Sequence, residues 1–254
     1  MRIVAIAFMA FTEAVRDRIL YSLLAFALAM IGSSIVLVRL SVGGEAKIVK
    51  DLGLGAISLV GVLIAVFIGV GLVSREIDRR TIYTIMARPI CRAEFILGKF
   101  CGLGLTLLVN VAVMTVGLLS LAWLLEGRWS PELLPAVLLA YVELLLLTAA
   151  AILFSAFTTP TLSAIFTLSV FVIGRLIGDL RAFAEQFGGA GLRALATGLS
   201  YVFPNLARFN ISEASVHALP LGTGYIPLAL LYGGAYLILF LAAAMAIFAR
   251  QDLK

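Results

Sequence analysis

Few groups in this chain can do chemistry, and their spacing narrows what that chemistry is. The single histidine, His217, cannot supply paired metal ligands, and neither HExxH nor GxSxG occurs. Gly98-Lys99 ends like a phosphate-binding loop, but Phe100 stands where Ser or Thr is required and Ala93 where the leading glycine belongs. Gly102-Leu103-Gly104 lacks the third glycine of a dinucleotide fingerprint. The six methionines are scattered, and Cys91 and Cys101 form neither a CxxC pair nor a disulfide framework. What remains are polar groups inside long apolar runs. Glu143 and Asn110 are candidates for a translocation path, because a carboxylate in hydrocarbon costs about 2.5–3.5 kcal/mol even on the lenient insertion scale. Arg175 and Asp179, one helical turn apart, read as a local interface anchor, and Arg39 as a snorkelling side chain.

Those groups sit in a chain that water cannot fold. Of 254 residues, 63% are hydrophobic and 13% charged, against about 25% charged in soluble domains. A span needs about 20 apolar residues, and six stretches qualify: Ile19 to Val42, Leu52 to Val73, Cys101 to Leu125, Glu132 to Phe157, Thr161 to Gly178 and Gly224 to Ala249. The fold class is therefore all-α membrane protein, a single transmembrane domain over residues 1–254. The fourth and fifth spans are separated only by Thr158, Thr159 and Pro160, which makes them a tight helical hairpin. Residues 1–18 read as a retained interfacial helix, with Ile3, Ala7, Phe8 and Phe11 on its apolar side. Glu143 lies about 16 Å in from the outer start of the fourth span, near the midplane.

Arg and Lys concentrate in short gaps on one side: Arg2, Arg16 and Arg18, then six residues from Arg75 to Lys99, then Arg250 and Lys254. The positive-inside rule places both termini in the cytoplasm and reads the net charge of +5 as orientation, not as a nucleic-acid surface. Two connections are long enough for structure of their own. Residues 179–223, outside, contain the amphipathic stretches LRAFAEQF and LRALATGL and then YVFPNLARFN. They read as short helices resting on or re-entering the outer leaflet, either as an ordered cap or as a substrate-reading element. The glycine pairs Gly98/Gly102 and Gly174/Gly178 allow close helix contact, within one chain or between copies.

Residues 74–100, inside, form the other connection. Ile77, Thr81, Ile82, Ile85 and Met86 share a helical face, while Glu76, Asp78, Arg79 and Arg80 lie largely elsewhere. Pro89 disfavours helix at Arg88, so a short docking helix is expected to stop near Ala87. The segment REIDRRTIYTIMARPICRAEFILGKF resembles the cytoplasmic loop of the type-2 ATP-binding-cassette (ABC) permeases, in particular the branch associated with multicopper-enzyme maturation. The matching positions are Glu76, Asp78, Thr81, Ile82, Ile85, Met86, Pro89, Arg92, Ile96, Leu97, Gly98 and Lys99, with Arg80 departing from a common glycine. The resemblance implies a coupling helix carrying Glu76, Asp78, Arg79, Arg80, Thr81, Ile82, Ile85, Met86, Arg88, Pro89 and Arg92, which docks into a separate ABC ATPase subunit. It also implies a second permease subunit, surrounding lipid, and no cofactor on this chain, ATP being bound by the partner. The competing readings are an intramembrane enzyme using Glu143 and a membrane scaffold or secondary carrier.

Overall fold

In the computed structural model, residues 2–40, 45–78, 92–188, 191, 193, 197–200, 203–217, 219, 222 and 224–250 are described. Helices α1 (Arg2–Val15), α2 (Arg18–Leu40), α3 (Glu45–Asp78) and α4 (Arg92–Glu126) come first. A 3-10 turn, Pro131–Leu133, leads into α5 (Leu134–Ser155), followed by α6 (Pro160–Phe187). A second 3-10 turn, Leu206–Phe209, precedes α7 (Ser212–Val216) and α8 (Tyr225–Arg250). Among the described residues there is no strand, and six helices are long and apolar enough to cross a membrane.

Helices α3 and α5 form the centre of the bundle, and α2, α6 and α8 lie at its periphery with most of their surface turned outward. Small residues let the central helices approach. A Cβ on Gly61 would enter the Leu144 side chain, and one on Gly69 would press on Ala151. The hairpin between α5 and α6 forms where expected: Thr159 is extended ahead of Pro160, and the Ser155 and Ser163 hydroxyls, equidistant from Thr159, meet at 2.8 Å.

The predicted N-terminal helix exists, but it does more than lie in an interface. It packs along the start of α4, where a Cβ on Gly102 would stand 2.5 Å from the Ala7 carbonyl oxygen and 2.6 Å from the Ala10 Cβ. Gly98 likewise receives Ile6. This glycine pair therefore serves packing within one chain. Asp17 then begins α2 by accepting a hydrogen bond from the Ile19 N–H at 3.0 Å.

Two boundaries differ from the sequence reading. Helices α3 and α4 have 34 and 35 residues, about 51 and 52 Å, because nothing obliges a helix to stop at the edge of hydrocarbon when its next residues are charged good helix formers. The stretch LRAFAEQF is not a separate outer helix, because α6 runs through Gly178 without a break to Phe187. A helical glycine costs only about 1 kcal/mol, too little to end a helix held by its neighbours.

Candidate functional site

The Glu143 side chain is 1% exposed, so its charge must be answered inside the protein. The answer comes from the next helix. Arg175 Nε donates to Glu143 Oε1 at 2.9 Å and Arg175 Nη2 to Glu143 Oε2 at 2.9 Å, a bidentate pair. The same Nη2 donates to Ser58 Oγ at 2.7 Å, which ties α3 to α5 and α6. The guanidinium carbon lies 5.4 Å from the Phe171 ring centroid. The sequence reading paired Arg175 with Asp179 along one helix, whereas the structure pairs it across the hairpin. Glu143 and Arg175 are equidistant from Thr159, so closing a tight antiparallel hairpin sets them opposite each other. That register was present in the sequence, but Ser58 had no comparable signal.

Beside this pair the outer segment turns inward. The Pro204 carbonyl and the Leu206 side chain fill the space above Gly174, and Phe209 covers Gly233, which also faces Val142. Gly174 is ten residues from Ala184, and Gly233 is eight from Tyr225, so the segment reaches about 12–15 Å below the outer helix ends. Non-helical backbone is tolerated at that depth only when protein buries it, and Leu206 and Phe209 are buried. The Asn205 N–H donates to the Tyr232 hydroxyl at 2.8 Å, the Tyr225 hydroxyl donates to the Arg208 carbonyl at 2.7 Å, and the Arg208 guanidinium lies over the Tyr232 ring. This part of the expected cap thus packs between the helices, against Gly174 and Gly233.

Asn110 is buried on α4, and its Nδ2 donates to the Thr106 carbonyl at 2.8 Å. Its Oδ1 has no partner among the described residues. Asn110 and Glu143 share no hydrogen bond, so the structure does not join the two predicted path residues into one polar cluster.

Two further ionic clusters lie towards opposite ends of the helices. At the end of the bundle with the α4–α5 turn, Lys50 is 2.6 Å from Glu126 and 3.3 Å from Glu132, while the exposed Arg128 reaches both carboxylates. Ser130 is buried there and donates to Glu126 at 3.0 Å. The turn between α4 and α5 passes through Gly127 at φ 66°, a conformation that glycine adopts without strain. At the opposite end, Lys99 is buried, lies 3.6 Å from Glu13 and sits over Phe95, whose ring stacks on Phe248 of α8. The sequence signalled neither cluster, since their members come from distant positions.

Of the predicted coupling residues, Arg79, Arg80, Thr81, Ile82, Ile85, Met86, Arg88 and Pro89 lie outside the described residues. Glu76 and Asp78 lie at the end of α3 and Arg92 at the start of α4.

A bundle of six helices long and apolar enough to cross a membrane, with the buried Glu143 paired to Arg175 and residues 203–209 packed among the helices, is the architecture of a multi-pass membrane protein. Residues 3–253 match the ABC-2 family transporter proteins, and the chain belongs to that family as a membrane permease component. No curated protein is found to match it.

Proposed function

We propose that this chain is the membrane subunit of an ATP-driven transporter of the multicopper-maturation branch, seated in the cytoplasmic membrane with both termini inside. A separate ABC ATPase binds and hydrolyses ATP, and a second permease subunit completes the complex. The observation that carries this reading is the length of α3 and α4. Both exceed by about 20 Å what a bilayer of about 30 Å requires, and they flank residues 79–91 in the chain. A lever needs such stiff arms, because motion at the loop is passed to the spans through unbroken helix.

The Ile82, Ile85 and Met86 stripe is the docking face, with Thr81 beside it, and each buried apolar side chain contributes about 1.5–3 kcal/mol to the contact. Glu76, Asp78, Arg79, Arg80, Arg88 and Arg92 surround it as an ionic rim, and Pro89 turns the chain back towards α4. Glu143 and Asn110 remain the candidate path residues. An intramembrane enzyme is disfavoured, because both Glu143 oxygens are engaged by Arg175 and no free base remains there.

The test is ATPase recovered per permease after detergent purification, followed by ATP turnover. Ile85→Asp should release the ATPase while membrane insertion is unchanged. Full partner binding and turnover in that variant would reduce the loop to an orienting charge cluster.

A further inference from the structure

A groove of about 650 Å³ opens between α4, α5 and the start of α8. Leu108, Val116 and Leu119 of α4 line it with Leu134 and Tyr141 of α5, and Ile226 of α8 joins them. Only two of its lining residues carry polar side chains, and both spend their donors inside the protein. The Thr115 hydroxyl donates to the Val111 carbonyl at 2.7 Å, and the Tyr141 hydroxyl to the Gly104 carbonyl at 3.0 Å. An apolar space of this kind does not reward the entry of water or of a polar solute. Its length is set by the helices. Along α5 it runs from Leu134, the first residue of the helix, to Tyr141, about 10 Å, and along α4 from Leu119 to Leu108, about 16 Å. Tyr141 lies two residues short of Glu143, so the groove begins at the end of the bundle with the α4–α5 turn and stops near the level of the Glu143 and Arg175 pair. Half of a hydrocarbon core of about 30 Å is about 15 Å, so this is the depth of one leaflet. The turn just before it exposes Arg128 and Trp129, residue types that favour the boundary between hydrocarbon and headgroups.

We propose that this groove is a binding site for an acyl chain of a phospholipid from the leaflet on that side, with the methyl end towards Tyr141 and the headgroup at the level of Trp129. Leu108, Val116, Leu134 and Leu138 remain exposed, so the groove is open to the surrounding hydrocarbon and a chain enters it sideways. On an outward helix face a lipid chain meets one helix. Here it touches α4 and α5 together, with Ile226 of α8 beside them, and gains dispersion contacts on more than one side. A helix from a second copy fits less well, for two reasons. A membrane-crossing helix needs a seam about 30 Å long, and the groove ends at about half of that. Close helix pairing in lipid also uses small residues, whereas this lining has no glycine and a single alanine, Ala112. The site needs no ATPase, so it holds or fails apart from the permease reading.

The test titrates the full chain, delipidated in detergent, with phosphatidylcholine that carries a photoreactive group in mid-chain. Native mass spectrometry counts the lipids bound per chain, and labelled peptides locate them. The first lipid bound should label residues 108–119 and 134–141 roughly fivefold more than the outward face of α8 at Leu231, Ile238 and Leu239. Ala112 is an exposed residue of the lining, so Ala112→Phe fills open space without overpacking the core, and it should weaken binding of that first lipid roughly tenfold. Val113→Phe, one residue on and outside the lining, is the control and should bind like the parent. Labelling of the groove no higher than that of α8, or unchanged binding in Ala112→Phe, overturns the proposal. Displacement of the probe by free oleate, but not by unlabelled phosphatidylcholine at the same concentration, would make this a fatty-acid site and overturns it too. So does a crosslink joining α4 or α5 of two copies in place of the lipid.

Discussion

The Lys99 ammonium lies 3.6 Å from the Glu13 carboxylate, and this contact fastens the N-terminal helix to the first turns of α4. The glycine pair Gly98/Gly102 makes it reachable by letting α1 lie against bare backbone. Any force delivered to the start of α4 is therefore shared with α1, and through Phe95 with Phe248 on α8.

Displacing α1 should expose it. Gly102→Val places atoms where the Ala7 carbonyl and Ala10 already stand, and overpacking of this kind costs about 1–3 kcal/mol. Limited trypsin digestion should cut faster at Arg16 and Arg18 in this variant. Gly32→Val, whose Cβ meets nothing within 4 Å, is the control and should digest like the parent.

The midplane ion pair should behave as a unit. Arg175→Leu leaves Glu143 buried and uncompensated, which costs about 3–5 kcal/mol, while Glu143→Gln with Arg175→Gln removes both charges and costs much less. Thermal unfolding midpoints of the two variants in one detergent should differ in that order. Equal losses would mean that the carboxylate is not held by Arg175. Glu143→Gln alone should lower transport with the complex still assembled, and undiminished transport in Glu143→Leu would remove Glu143 from the path.

In the Lys50 cluster, burial separates strong from weak contributions. Lys50 is buried between Glu126 and Glu132, so Lys50→Met should destabilise by about 3–5 kcal/mol. Arg128 is mostly exposed, and Arg128→Ala should change stability by about 0–1 kcal/mol, an effect that fades with added salt. Comparable losses in the two variants would refute this division.

Orientation is testable at two exposed positions. With Cys91 and Cys101 replaced by serine, a cysteine at Arg128 should react with an impermeant thiol reagent only from outside, and one at Ala93 only from inside. Ser130 is unsuitable, being buried against Glu126. Reversed labelling of the two positions would invert the topology and the placement of the coupling loop.

Composition and run length determined the fold class, because residues able to lie in hydrocarbon announce themselves one by one and their number sets how many helices cross. The hairpin at Pro160 and the anomaly of Glu143 were legible for the same reason, since each follows from a residue type at a position along the chain. The register that faces Glu143 with Arg175 follows from that hairpin, but which carboxylate Arg175 takes does not. Arg175 has Asp179 as a neighbour on its own helix, and only closure of α5 against α6 sets the competing carboxylate opposite it. The Lys50 and Lys99 clusters, the seat of α1 on Gly98 and Gly102, and the descent of Leu206 and Phe209 to Gly174 and Gly233 are likewise matters of tertiary structure. Hydropathy is a one-body property of each residue, whereas an ion pair or a helix contact is a property of two residues whose separation the chain order does not contain.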